Sequence, residues 1–276
     1  MSYPKKSLGQ NYLTDENISR NIVKSFNINE DDNILEIGSG QGALTRLLLQ
    51  KTNNLTVIEL DSNNCKILSE KFPGLNIINK DFLKIDLKKI SDFGFRIEAF
   101  GDKFQIPDRS IRGQVSDLRI IGNIPYNISS QIIFKLIDNR EMVIDAQLMV
   151  QEEFARRLAA KPNTKDYGIP SVLVQVFSKP KLLFKVSRNC FYPKPRVDSR
   201  IIYFDFTNSM ENKIHDVDFF RTLVKTAFST RRKTLRNALK SLNLDLSLSD
   251  IDFSRRAESL SIDEFITLSN LLCSLK

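Results

Sequence analysis

The chain has 276 residues, of which 41% are hydrophobic and 27% charged, with a formal net charge of +8. That length suits one large domain or a large one with a small companion, and the composition excludes a disordered chain. Apolar runs such as 172–177 are too short to cross a membrane, and the opening Met-Ser-Tyr-Pro-Lys-Lys lacks the apolar core of a secretion signal, so a soluble cytoplasmic protein with no membrane contact is expected.

In chain order, Asn33–Ile37 reads as a short apolar strand that runs into Gly-Ser-Gly-Gln-Gly. Residues 43–51 have helical spacing, 55–60 form a β-branched strand, and 63–72 form a helix broken by Pro73-Gly74. A third strand spans 75–79, and two more span 118–122 and 146–150 with a helix over 130–138 between them. Strands alternating with helices predict an α/β fold, a parallel sheet covered on both faces. Residues 93–117 break the pattern and read as an insertion, with a short hairpin at 95–100 and 103–106. Past residue 217 the periodicity becomes helical, over 218–228, 233–242 and 262–272. The polar stretch 207–216 therefore divides a domain of 1–208 from a small helical domain of 209–276.

Three scattered cysteines lack metal-ligand or disulfide spacing, and the single histidine, His215, discourages mechanisms built on a histidine base. The turn Leu35-Glu-Ile-Gly-Ser-Gly-Gln-Gly-Ala-Leu-Thr45 closes a strand and opens a helix. Glycines 38, 40 and 42 let the backbone turn tightly and approach a ligand. Glu59 ends the next strand about 20 residues on, where a ribose-binding carboxylate sits in such folds. Together these point to an adenosine cofactor, and Gly38, Gly40 and Ala43 leave NAD open. Asp81, after the third strand, can accept from an adenine amino group or simply cap a helix.

Strand four ends in Gly122-Asn-Ile-Pro-Tyr-Asn-Ile-Ser-Ser130. Proline at 125 removes a donor and extends the preceding residue, so a backbone carbonyl can point outward beside the side-chain carbonyl of Asn123. Two acceptors can hold both hydrogens of an aromatic amine, and Tyr126 offers a flat face for the base. An exocyclic amine is a poor nucleophile because its lone pair is delocalised into the ring. Acceptors on both N–H bonds favour a pyramidal nitrogen and free that pair, without a strong base. A structural turn feeding a helix is the alternative.

These motifs resemble the ribosomal RNA adenine dimethylases, most closely the small-subunit (16S) dimethyladenosine transferases, along nearly the whole chain. The resemblance runs through Lys5-Lys-Ser-Leu-Gly-Gln-Asn-Tyr-Leu13, Leu35 to Thr45, Val57-Ile-Glu-Leu-Asp61, Asn123-Ile-Pro-Tyr126 and Gln151-Glu-Glu-Phe-Ala-Arg-Arg-Leu158. It continues in Tyr167-Gly168, Phe191-Tyr-Pro-Lys-Pro-Arg-Val-Asp-Ser199, Phe228-Ser-Thr-Arg-Arg-Lys-Thr-Leu-Arg-Asn-Ala-Leu239 and Arg256-Ala-Glu-Ser-Leu260. It departs at Ile124, where leucine is usual, and in the length of 93–117.

The resemblance implies a Rossmann-like methyltransferase sheet with helices on both faces plus a small C-terminal helical domain, and S-adenosyl-L-methionine rather than NAD. It implies N6-dimethylation of two adjacent adenosines near the 3′ end of 16S rRNA in the assembling 30S subunit, by a monomer. Asn11, Leu13, Gly38, Gly40, Glu59, Asp81 and Asn123 would then line the cofactor site, with Glu59 on the ribose and Asp81 on the adenine. Asn123 and the carbonyl of Pro125 would hold the target amine, with Tyr126 and Phe191 stacking on its base.

Residues 179–240 carry 15 Lys or Arg against 5 Asp or Glu, so the rest of the chain sums to −2. Within that segment Arg231, Arg232, Lys233 and Arg236 are candidate phosphate contacts, or a solvated helix face. Lys5 and Lys6 could clamp substrate or belong to a loose arm. Two rival functions share the motifs: a large-subunit (23S) methylase of the macrolide-resistance type, and a non-catalytic ribosome-assembly or transcription factor. The C-terminal motifs favour the small-subunit branch, and intact Glu59, Asn123, Pro125 and Tyr126 favour catalysis.

Overall fold

The computed structural model describes residues 4–5, 8–92, 118–230, 232–242 and 251–274; the expected insertion at 93–117 and its hairpin lie outside the described residues. The chain divides into two compact units, one of 1–152 with 183–204 and the other of 153–182 with 205–276. The division therefore interleaves along the chain, where the sequence suggested a single cut at 208.

In the first unit, β1 (Tyr12–Leu13) leads into α1 (Glu16–Phe26), whose N-cap Asp15 accepts from the Ile18 N–H. Then follow β2 (Asn33–Ile37), α2 (Thr45–Leu48), β3 (Leu55–Ile58), α3 (Ser62–Lys71), β4 (Asn76–Ile78) and α4 (Leu87–Asp92). Next come β5 (Leu118–Asn123), α5 (Ser129–Asp138) and β6 (Val143–Gln151). After α6 (Glu152–Leu158) and α7 (Ile169–Phe177), the chain returns through β7 (Lys179–Val186), β8 (Phe191–Tyr192) and β9 (Ser199–Asp205). Seven strands form one sheet in the order β4-β3-β2-β5-β6-β9-β7, and the first residues of β7 group with the second unit. From β4 to β6 every pairing is parallel.

Alternating residues of these strands are buried on opposite faces. Ile34, Val57, Ile121 and Met149 join a cluster with Ile22, Val23 and Phe26 of α1 and Leu47, Leu48 and Leu68. Their neighbours Leu35, Ile58, Ile120 and Leu148 are equally buried on the other face. Burial on both faces is what a parallel sheet with helices on each side requires.

At the end of the sheet where β5 begins, the Arg119 guanidinium donates to Asp145 through Nε (3.0 Å) and Nη2 (2.8 Å). It also bonds Asp32 and the carbonyls of Phe26 and Asn27, and lies 4.4 Å from the Phe26 ring centroid.

The second unit is helical. Its α8 (Val217–Phe228) buries Phe219, Phe220, Leu223, Val224 and Ala227, the one-sided spacing of an amphipathic helix. Phe220 meets Phe177 of α7 edge-on at 6.5 Å, and Phe228 stacks on Phe265 of α10 (Ile262–Cys273) at 5.8 Å. A capping box of Ser261 and Glu264 starts α10. The expected helix over 233–242 is α9 (Leu235–Leu239) followed by a 3₁₀ turn to Leu242. Helix α7 belongs here because it is buried nearly all round, so its sequence lacks the polar face that betrays a helix. The helix expected over 43–51 shortens to α2, with turns on either side.

Candidate active site

A cavity of about 770 Å³ opens in the first unit, at the carboxyl ends of β2, β3, β4 and β5. Chain order runs outward from β2 to β4 on one side and from β5 to β6 on the other, so the cavity sits where the winding reverses. Open α/β sheets bind ligands at that point. The volume lies within the range of small-molecule sites. Asn11, Leu13, Gly38, Gly40, Glu59, Asp81, Asn123, Pro125 and Tyr126 all line it.

The glycine turn is held open by its backbone. Gly38 has φ +71° and Gly40 has φ +55°, left-handed values that side chains disfavour. A Cβ on Gly40 would meet the Tyr12 ring at 3.0 Å. Within this turn Ser39 also lines the cavity, and its buried hydroxyl has no partner among the described residues.

Glu59 is buried, and each of its oxygens accepts one backbone N–H: Oε2 from Gly40 and Oε1 from Asp61, both at 2.8 Å. Burial raises its pKa, and those two N–H groups work against the shift. The carbonyls of Glu59 and Leu60 accept from the Asn79 side chain, at 2.9 and 3.1 Å, which fixes the loop. Leu60 is 50% exposed, an apolar side chain that the fold does not bury, and it lines the cavity. Asp81 caps a 3₁₀ turn (Phe82–Lys84) through Oδ1, which accepts from the Leu83 N–H at 2.9 Å, so Oδ2 is left over. Lys135 braces this turn by donating to the carbonyls of Leu83 (2.9 Å) and Ile85, and burial lowers its pKa.

The Asn123 side-chain NH₂ donates to the Asn11 carbonyl at 3.0 Å. That bond fixes the amide's orientation and leaves Oδ1 as an acceptor. The Tyr126 hydroxyl lies 2.7 Å from the Ser199 hydroxyl, which anchors the ring, and burial raises the phenol pKa. The carbonyl of Pro125 differs from the sequence reading. It accepts from the Ile128 N–H (3.3 Å) and the Ser129 hydroxyl (3.0 Å), so both lone pairs serve the turn. The carbonyl of Ile124, which also lines the cavity, has no partner among the described residues.

Phe191 is not part of the cavity lining. Its side chain is 4% exposed, packed in the sheet's core cluster, and its Cα is paired with Leu13 in a two-stranded ladder. Arg232, Lys233 and Arg236 are exposed at the start of α9 in the second unit, and Arg231 lies outside the described residues. Lys5 is not loose: its ammonium sits 2.7 Å from Asp61, whose side chain is fully buried. Gln10 also donates to Asp61, at 3.1 Å, and Tyr12 donates to Gln10 at 3.0 Å. Lys6 lies outside the described residues.

Sequence reasoning missed Gln10, Tyr12, Ser39, Leu60, Lys135 and Ser199. Only Leu60 carried a local signal, an apolar residue directly after Glu59, the expected ribose-binding carboxylate. It also missed Glu36, which lines the cavity from the end of β2. Burial pushes its carboxyl up to about 8, helped by the charge of Glu59 and opposed by the Thr45 hydroxyl at 2.6 Å. Among the described residues no cluster could hold a metal ion, and no helix is long and apolar enough to cross a membrane.

Comparison with known proteins agrees with this geometry. The chain is 43% identical over 267 residues to ribosomal RNA small subunit methyltransferase A of Chlorobium phaeobacteroides (strain BS1), covering 96% of this chain and 92% of that one. It is 39% identical to the protein of the same name from Francisella tularensis subsp. novicida, covering 97% of each. Among solved structures, a dimethyladenosine transferase from Plasmodium falciparum superposes with a TM-score of 0.69 at 27% identity, covering 94% of this chain and 96% of that one. The 23S rRNA methyltransferase ErmE superposes at 0.67 with 22% identity, over 95% of this chain and 100% of its own, a likeness of fold. Residues 1–273 match the ribosomal RNA adenine dimethylase family, and the chain belongs to it.

Proposed function

We propose that this protein N6-dimethylates two adjacent adenosines near the 3′ end of small-subunit (16S) rRNA, in the assembling 30S particle, with S-adenosylmethionine as methyl donor. The observation that carries the reading is the Asn123 amide, locked by the Asn11 carbonyl so that its Oδ1 stays available on the cavity wall.

The residues present fit the donor. Glu59, held by the Gly40 and Asp61 N–H groups and the Asn64 side chain, has acceptor capacity left for a ribose hydroxyl, and Asp81 keeps Oδ2 for the adenine amino group. Leu60 supplies an apolar face for the adenine. When bound, the donor supplies a methyl group already activated on a sulfonium.

The protein's own task is the nucleophile. Oδ1 of Asn123 accepts one N–H of the target amine, and we assign the second to the carbonyl of Ile124, because that of Pro125 is engaged within the turn. Two acceptors draw the amine toward a pyramid and raise its lone pair. Tyr126, held by Ser199, gives the base a fixed face. Phe191 reaches the base only by leaving its packed position, so Tyr126 carries the stacking in our reading. The aligned acceptors act as preformed dipoles, and no side-chain base is needed.

The exposed cations Arg232, Lys233 and Arg236 supply phosphate contacts. The test is transfer of a radiolabelled methyl group to 30S particles lacking the modification, with 50S particles in parallel and primer extension to locate the product. Methylation confined to 50S particles would assign the chain to the large-subunit reaction instead.

A further inference from the structure

We propose that residues 187–198 form a docking platform for the single-stranded RNA on either side of the target base. The proposal rests on the methylase reading and adds where the neighbouring nucleotides lie. This segment connects β7 to β9 within the first unit, and it is tied to the cavity wall at two points. In its middle, Tyr192 and Phe191 pair with Tyr12 and Leu13, and both of those line the cavity. Directly after it, Ser199 holds the hydroxyl of Tyr126, which also lines the cavity. Residues 193–198 thus run between two attachments to the cavity wall.

The segment is braced. The Arg188 guanidinium donates to the Arg196 carbonyl at 3.1 Å, and the Arg188 N–H donates to Asp198 at 3.0 Å. Lys185 pairs with Asp198 at 2.7 Å, and the Asp198 carbonyl accepts from the Glu152 N–H at 3.0 Å. Yet the braced loop turns two of its apolar side chains outward. Tyr192 is 62% exposed and Val197 44%, two of the four exposed large hydrophobics among the described residues.

The same segment carries Arg188, Lys194 and Arg196, all exposed, and neither Lys194 nor Arg196 has an ion-pair partner among the described residues. The one acid in the segment, Asp198, is already neutralised by Lys185. An exposed flat ring among unpaired cations is the surface that single-stranded nucleic acid selects, by base stacking and phosphate contact. A base placed in the cavity leaves its neighbours in the strand at the rim, where this platform stands. One tyrosine and one valine offer too little apolar area for insertion into a lipid surface.

The test uses the full-length protein and two surface variants, Tyr192→Ala and the double variant Lys194→Glu/Arg196→Glu. Binding of a fluorescent single-stranded oligoribonucleotide containing adjacent adenosines is measured at several salt concentrations. Affinity for S-adenosylhomocysteine and the melting temperature serve as controls. Tyr192→Ala is expected to weaken RNA binding about tenfold, one stacked base, with cofactor affinity within about twofold of wild type. The double variant should flatten the dependence of log affinity on log salt by about 1.4, two phosphate contacts at about 0.7 each. Folded variants that bind RNA within about twofold of wild type would overturn the platform. So would a loss of binding to phosphatidylglycerol vesicles with RNA binding intact. If the wild type methylates no ribosomal RNA, the underlying reading fails; if it does and the variants are indifferent, only the platform fails.

Discussion

Replacing Asn123 by alanine removes two polar atoms with different duties, and the structure separates their costs. The side-chain NH₂ donates to the Asn11 carbonyl at 3.0 Å in a half-buried setting. Losing one such bond costs about 1 kcal/mol of stability, roughly 2–4 °C in melting temperature for a protein of this size. The carbonyl left behind borders an open cavity, where water can replace the donor. In the proposed mechanism the Oδ1 atom carries the chemical duty. A single preorganised group aimed at developing charge contributes about 10²–10³ in turnover. The expected variant therefore folds, binds S-adenosylhomocysteine within about fivefold of wild type, and transfers methyl groups at least about a hundredfold more slowly at saturating cofactor. Single-turnover transfer to 30S particles, calorimetric binding and a thermal melt measure the three quantities separately. Turnover within about threefold of wild type would refute the amine-sharpening role, since that loss is far below what one aligned acceptor supplies. A defect confined to cofactor affinity would refute it equally.

Glu59→Gln sets an NH₂ group against a backbone N–H of Gly40 or Asp61, so cofactor affinity should fall about 10- to 100-fold in calorimetry; unchanged affinity would remove Glu59 from the site. Lys135→Met frees the turn carrying Asp81, and its cofactor dissociation constant should rise about tenfold while turnover at saturation stays within about twofold. A drop in turnover alone would contradict that bracing role. Arg119→Leu strands the carboxylates of Asp32 and Asp145 in a poorly solvated site and should cost about 3–5 kcal/mol in denaturant unfolding; a cost below about 1 kcal/mol would mean that the cluster is solvated. Glu36 titrates in the folded protein near 8 and in the unfolded chain near the ordinary carboxylate value, so the folded state holds a proton that the unfolded chain has released. That contribution is complete below the unfolded value and is lost as pH rises toward 8, so the melting temperature of wild type should fall relative to Glu36→Gln across that window; parallel curves would show that Glu36 is ionised throughout.

The parts legible in the sequence are those whose cause is local. Strand β2 falls at Asn33–Ile37 as read, because a short, largely apolar run stops at a glycine that takes a left-handed conformation. The turn after β5 was legible because a proline dictates its geometry. Helix α1 passed unnoticed, although Asp15 and the buried spacing of Ser19, Ile22, Val23 and Phe26 mark it clearly. Helix α7 could not be placed, since an element buried on all sides has no periodicity to read. That the Pro125 carbonyl is engaged is not legible, because nothing local signals that Ser129, four residues on, turns back to it. Bonds such as Asn123 to Asn11 and Tyr126 to Ser199 join residues 112 and 73 apart, a separation that only the assembled sheet resolves.

A common arrangement runs through the cavity's polar groups. Glu59 gives one lone pair per oxygen to the glycine turn and the Asp61 N–H, Asp81 gives Oδ1 to a cap, and Asn123 gives its NH₂ to Asn11. Tyr126 gives its hydroxyl to Ser199 and keeps its ring. In the proposed reading each side chain is tied by one part and offers another to a ligand, so capping and binding are compatible roles for Asp81. A tied side chain loses little further rotamer freedom when it meets a ligand, and its dipole needs no reorientation as charge develops. A chemistry whose only demand on the protein is correct placement of an amine can then be carried by amide and carbonyl oxygens, which is why one histidine in 276 residues is no handicap.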